Sequence, residues 1–249
     1  MNIMVLDTET TNLEKPFCYN IGYVIANTET KEILVRKEFV VEQVWKNQEL
    51  FSTAYYANKR PIYVNRMRAR AIKMDKIGYI TQEIARDIKF YEIEQVYAYN
   101  SPFDQKVFEF NTEWYKIINP FELTEFYDIR GYVHEFLAET EQYQDFCDKH
   151  QLYTESGNYS TTAETVFRFI TNDITFNEEH TALADSEIEL EILFECVEQF
   201  GAKFGEHYAV KRSIERNVEK HLIIVQNGTE TDFTYRKRTN RGDKIYLKG

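Results

Sequence analysis

Four apolar residues, Ile3-Met4-Val5-Leu6, run directly into Asp7-Thr8-Glu9-Thr10-Thr11. The run reads as a buried strand, and a strand that ends this way delivers two carboxylates to the edge of a core. Alternate residues of a strand point to the same side, so Asp7 and Glu9 project together. Two neighbouring anions in a partly desolvated place need protons or a cation, and a divalent metal is the natural answer. A strand that simply ends in a polar turn would look the same in isolation, so the reading depends on what the rest of the chain brings to that edge.

A second acidic station is Asn100-Ser101-Pro102-Phe103-Asp104, following the apolar strand pattern of residues 95–99. Ser101 and Asp104 stand at capping-box spacing, with Pro102 at the favoured start of a helix. Yet Asp104 shares a helical face with Val107 and Phe108, which is the core side. The third station is His180-Thr181-Ala182-Leu183-Ala184-Asp185. On a helical wheel Ile188, Ile192, Leu193 and Cys196 surround the direction of Asp185, whereas Glu187, Glu191 and Glu195 stack on a separate, solvent-facing ridge. An acid in the middle of an apolar arc needs a partner. His180 falls in the loop before that helix, free to reach over the site; His134, His150, His207 and His221 read as surface or helix-entry histidines.

The 249 residues suffice for a substantial core, and the composition suits a folded protein. No apolar run approaches a membrane span, and the N-terminus enters a strand pattern without a basic stretch and apolar signal core, so the expected location is cytoplasmic. Cys18, Cys147 and Cys196 are odd in number and far apart, which argues against a disulfide framework and a CxxC zinc site. The net charge of -11 argues against a nucleic-acid partner until its distribution is considered. Residues 206–249 hold 10 Lys and Arg against 6 Asp and Glu, and residues 59–76 hold seven cations against Asp75 alone, with Tyr63 among them. A basic strip carrying an aromatic suits a nucleic-acid strand, and equally a solvated helix face.

Strands are expected at residues 2–8, 19–26, 32–41, 95–99 and 126–129, with helices at 132–138, 142–150, 162–170 and 182–200, and another from a Thr81 cap to Tyr91. The class is α/β: a mixed five-stranded sheet flanked by helices. Residues 1–204 form the main domain, with a basic insertion around 41–94, and residues 205–249 form a small basic β-rich appendage. In that appendage Asn227-Gly228 and Asn240-Arg241-Gly242-Asp243 read as hairpin turns joining three short strands.

Taken together, Asp7-x-Glu9-Thr10-Thr11, Asn100-x-x-Phe103-Asp104 and His180-x-x-x-x-Asp185 resemble, in order, the three motifs of the DEDDh-type DnaQ-like 3′-to-5′ exonucleases, a group with a ribonuclease-H-like fold that includes proofreading subunits and ribonuclease T. Ile21-Gly22 and Tyr127-Asp128 also look familial. Asn12 stands where the family often has Gly, and the basic insertion and the appendage have no counterpart in the family minimum. The resemblance implies a two-metal-ion phosphodiester hydrolase acting on a single-stranded 3′ end, with DNA favoured, that releases nucleoside 5′-monophosphates. It assigns Asp7, Glu9, Asp104 and Asp185 to two divalent cations, Mg²⁺ or Mn²⁺, and His180 to general-base duty. Thr10, Leu13 and Asn100 become contacts to the terminal nucleotide. The alternatives are an RNA-trimming relative, and a non-catalytic subunit that docks a polymerase or nucleic acid; the appendage could serve a polymerase contact or self-association.

Overall fold

The computed structural model describes residues 1–226 and 229–238, with side chains through residue 216. Strands β1 (Asn2–Thr10), β2 (Cys18–Asn27) and β3 (Ile33–Val41) form an antiparallel meander, and β5 (Gln95–Ala98) pairs in parallel with β1. The strand β6 (Glu125–Asp128) then pairs in parallel with β5. A sixth strand, β4 (Lys73–Asp75), joins the free edge of β3 in parallel, giving the order β4-β3-β2-β1-β5-β6. The sheet therefore has six strands, not the five expected. At three residues with two of them exposed, β4 carries no hydrophobic pattern that a sequence could announce.

Strand alternation divides the molecule into two cores. Met4 and Leu6 face a cluster that includes Phe39, Val107 and Phe108, closed by α4 (Ile77–Phe90) and α5 (Ser101–Tyr115). Ile3 and Val5 face Ile188, Leu190, Ile192, Leu193 and Cys196 of α9 (Ala182–Glu198) on the other side. Helix α4 begins at Ile77, not at Thr81, because Ile77 and Ile80 bury an apolar turn ahead of it; the Thr81 hydroxyl bonds back to the Gly78 carbonyl at 3.2 Å. After β6 the chain makes α6 (Ile129–Tyr132), continues as a π-helical turn over Val133–Leu137, and adds α7 (Glu141–His150) and α8 (Ala163–Thr171).

The stretch expected as an insertion, residues 41–94, holds α1 (Glu42–Trp45), α2 (Gln48–Phe51) and α3 (Arg60–Arg68). Its Tyr63 is fully buried against Tyr19 and Trp45, so it belongs to the core and presents no ring to a nucleic acid. His134 is also fully buried, contrary to its surface reading. Its Nδ1 accepts the Lys211 backbone N–H at 3.0 Å, which leaves Nε2 to donate to Thr161 Oγ1 at 2.9 Å. The same segment brings Arg216 over the Tyr153 ring at 3.7 Å and its guanidinium to Asp148 at 3.2 Å. Beyond it β7 (Asn217–Gln226) and β8 (Thr229–Arg238) pair as an antiparallel hairpin. The expected Asn227-Gly228 turn and the third strand after Asn240 lie outside the described residues.

Candidate active site

Asp7 and Glu9 extend the parity of Ile3 and Val5 and so face the helix that carries Asp185. Opposite Asp7 in the antiparallel register stands Gly22. A Cβ there would lie 2.1 Å from Leu183 N and 2.2 Å from Ala182 C, so only glycine lets the first turn of α9 come down onto the sheet. Ser186 Oγ secures this approach, donating to the Gly22 carbonyl at 3.0 Å. The result is that one oxygen each from Asp7, Glu9 and Asp185 lie within 4.8 Å of one another.

Thr8, on the opposite parity, faces α5, and its hydroxyl donates to Asp104 Oδ1 at 2.6 Å. The capping box that the Ser101–Asp104 spacing allows does not form, and Asp104 faces the core as its helical face implied. Asn100 is the N-cap residue, in a left-handed conformation and without a side-chain cap, and its backbone N–H donates to Asp128 Oδ1 at 2.9 Å. Asp128 also caps α6 through the Arg130 N–H. With that duty taken by Asp128, Asp104 is left buried and turned toward β1.

Burial pushes the carboxyls of Asp7, Glu9, Asp104 and Asp185 well above the usual carboxylate range, and mutual repulsion adds to it: Asp104 and Glu178 act on Asp7, Asp7 and Asp185 on Glu9, and Asp7 and Glu178 on Asp185. Hydrogen bonds from the Tyr19 hydroxyl to Glu9, at 3.4 Å, and from Thr8 to Asp104 offset this in part. Among the described residues no Lys, Arg or His forms an ion pair with any of the four. The Oδ1 of Asp185 is buried without a hydrogen-bond partner. An all-carboxylate set, short of positive charge and with one orphaned oxygen, fits hard divalent cations of the Mg²⁺ or Mn²⁺ kind.

His180 lies in the loop before α9 with φ of +54°, and its imidazole stacks on Tyr56, ring centroids 4.3 Å apart at 13°. Burial, and then the Lys59 charge, lower its pKa, so the ring is neutral near pH 7. The Glu178 carboxylate is 3.6 Å from Nδ1, and burial raises Glu178 to about 7. Of the remaining expected contacts, Thr10 ends β1, Asn100 is exposed at the mouth of α5, and Leu13 is 73 % exposed with its carbonyl held by Lys106 Nζ at 3.3 Å. Glu189 was not among the expected residues. It sits one turn after Asp185, buried, its Oε2 accepting the Tyr99 N–H at 3.1 Å, and the charges of Asp7, Asp104 and Asp185 add to the burial that raises its pKa. Its i+4 spacing from Asp185 was the signal available in the sequence.

No protein-family model matches the chain, and no curated protein matches it by sequence. Solved structures do match in fold. The nuclease domain of 3′hExo, a DEDDh family member bound to rAMP, aligns at TM-score 0.51 and 12% identity over 86% of this chain and 97% of that one. The two share a fold. A 3′-exonuclease that recognises the 3′ end of a histone mRNA stem-loop aligns at TM-score 0.51 and 13% identity, over 93% of this chain and 70% of the other. Exonuclease I of E. coli in complex with a dT13 oligonucleotide gives TM-score 0.52 at 11% identity, over 79% of this chain and 41% of that enzyme. The ribonuclease-H-like arrangement of sheet and helices expected from the motifs is thus present. No helix among the described residues is long and apolar enough to cross a membrane.

Proposed function

We propose that this protein is a metal-dependent 3′-to-5′ exonuclease that hydrolyses phosphodiester bonds at single-stranded 3′ ends and releases nucleoside 5′-monophosphates. The observation that carries the reading is the meeting of Asp7, Glu9 and Asp185 oxygens within 4.8 Å, with one buried Asp185 oxygen unpartnered. Asp7, Glu9 and Asp185 would hold two divalent cations, with Asp104 contributing directly or through water. Bound there, such ions supply charge neutralisation of the phosphodiester and acidify water. The neutral His180 imidazole takes the proton of the attacking water, help typically worth about a hundred- to ten-thousand-fold. Glu178, beside Nδ1, favours the imidazolium that results. Thr10, the exposed Leu13 side chain and Asn100 border the terminal nucleotide.

DNA is the favoured polymer. RNA trimming is the second reading, supported by the likeness to an mRNA-recognising exonuclease and to a nuclease bound to rAMP. Three free, buried cysteines suit a reducing compartment such as the cytoplasm. The basic appendage from residue 205 is our candidate for substrate, polymerase or self-contact. Purified protein given Mn²⁺ should shorten 3′-labelled single-stranded DNA and matched RNA oligonucleotides one residue at a time. Intact substrate with both polymers, or full activity in Asp7→Ala, overturns the proposal.

A further inference from the structure

We infer that Tyr56 and Arg66, both supplied by residues 41–94, are positioning residues that hold the His180 imidazole in one orientation beside the carboxylates. The inference rests on the reading of His180 as proton acceptor. A left-handed backbone costs a non-glycine residue energy, and contacts on either side of His180 help to determine the one it adopts. Arg66 provides such contacts on both sides. Its Nη2 donates to Glu179 Oε1 at 2.6 Å, the residue before His180, and its Nη1 to Thr181 Oγ1 at 3.1 Å, the residue after. The same Nη1 donates to Glu38 Oε2 at 3.0 Å, and because that glutamate side chain is buried, the guanidinium is anchored to β3.

The following residue is fixed as well, since the Ala182 N–H donates to Asn20 Oδ1 at 2.8 Å, an oxygen that also accepts the Tyr63 hydroxyl at 3.0 Å. These contacts set the backbone but leave the imidazole free to rotate. Tyr56 removes that freedom by lying flat on it. That stretch can bear this duty because it is itself pinned: Phe51 and Tyr63 pack edge-on against Tyr19 of β2, with ring centroids 5.1 and 6.0 Å apart. A cluster of carboxylates for cations has no need of a planar five-donor cation spanning three elements, nor of a ring against its base. A proton acceptor in a loop needs both. Lysine could not replace Arg66, because one ammonium cannot serve β3 and both sides of the loop with the fork's fixed geometry.

The test pairs turnover with a resonance that requires neither metal nor substrate. In Tyr56→Ala we expect kcat to fall about tenfold with KM little changed, since the imidazole spends less time aimed at the water. Tyr56→Phe, which keeps the ring face, should restore most of the loss. In histidine-labelled protein the His180 ring protons lie in the shielding cone of Tyr56, so Tyr56→Ala should move them downfield. Glu179→Ala, which removes one arm of Arg66 at a half-exposed site, should lower kcat by a smaller factor and serves if Tyr56→Ala fails to fold. Unchanged kcat in active Tyr56→Ala protein, or failure of Phe to restore what Ala loses, overturns the inference. Should the wild type prove inactive, the reading of the site fails and the resonance alone decides: an unmoved His180 signal overturns the positioning role, and a moved one supports it.

Discussion

Asp7 and Glu9 ride on a strand that is hydrogen-bonded on both sides, whereas His180 is a left-handed loop residue flanked by side-chain contacts from the distant residues 41–94. The strand holds its carboxylates together against their own repulsion, because the sheet ladder and two cores fix their positions whatever occupies the site. The loop holds its imidazole only through contacts that a single substitution can remove. The concentrated charge is built into rigid backbone, and the imidazole beside it depends on side-chain contacts for its orientation.

The largest expected effect breaks the strand side of this contrast. Asp7→Ala should cut turnover by about a thousandfold or more, roughly 4 kcal/mol of transition-state stabilisation, while the fold is retained, because the change removes a buried, repelled carboxyl. Single-turnover kinetics alongside thermal melting measures both. Next is Gly22→Ala. Its Cβ meets backbone atoms of α9, which cannot swing aside as a side chain could, so we expect a loss of about 3 kcal/mol in denaturant unfolding. Wild-type stability with this residue would show that α9 is not docked as described.

Cation binding sharpens the contrast further. Mn²⁺ at a hundred times its Kd should stabilise the wild type by about 2.7 kcal/mol, read as a rise in melting temperature. In Asp185→Asn that rise should shrink, and in Tyr56→Ala it should persist, since the ring lies outside the proposed cation ligands. A rise lost in both variants would merge the two regions into one unit.

The smallest effect belongs to a histidine outside the site. Burial, followed by the charges of Arg130 and Lys211, lowers His134 to about 4 from its ordinary 6.5, so the folded state binds fewer protons than the unfolded one between those values. The stability it contributes is complete above pH 6.5 and is lost as pH falls toward about 4. His134→Gln should therefore be less stable than wild type at pH 7, with the difference narrowing by pH 4.5 in parallel melts.

Much of the fold was legible because period and punctuation are local. The strands β1, β2, β3, β5 and β6 and the helix starts near Ser101, Ala163 and Ala182 announce themselves by alternation, a proline or a cap, and the wheel of α9 singles out Asp185. Less local features were not legible. Thr81 has the look of a cap, but Ile77 and Ile80 extend α4 past it. The Ser101–Asp104 spacing suggests a capping box, but Asp128, brought alongside by β5–β6 pairing, takes the duty and leaves Asp104 to Thr8. Tyr63 and His134 pass for surface residues until residues 41–68 and the 205–216 segment fold into place around them.

By itself the sequence determined which carboxylates are candidates for the site and on which kind of element each sits, because strand and helix periods are properties of a few neighbouring residues. Only the tertiary structure decided that Asp7, Glu9 and Asp185 share one small volume and that Gly22 is what allows it. It also decided that Tyr56 reaches across the chain to His180 and Arg66 to the residues on either side of it. Those facts depend on how the two faces of the sheet are covered, and the packing of distant segments leaves no periodic trace in the chain.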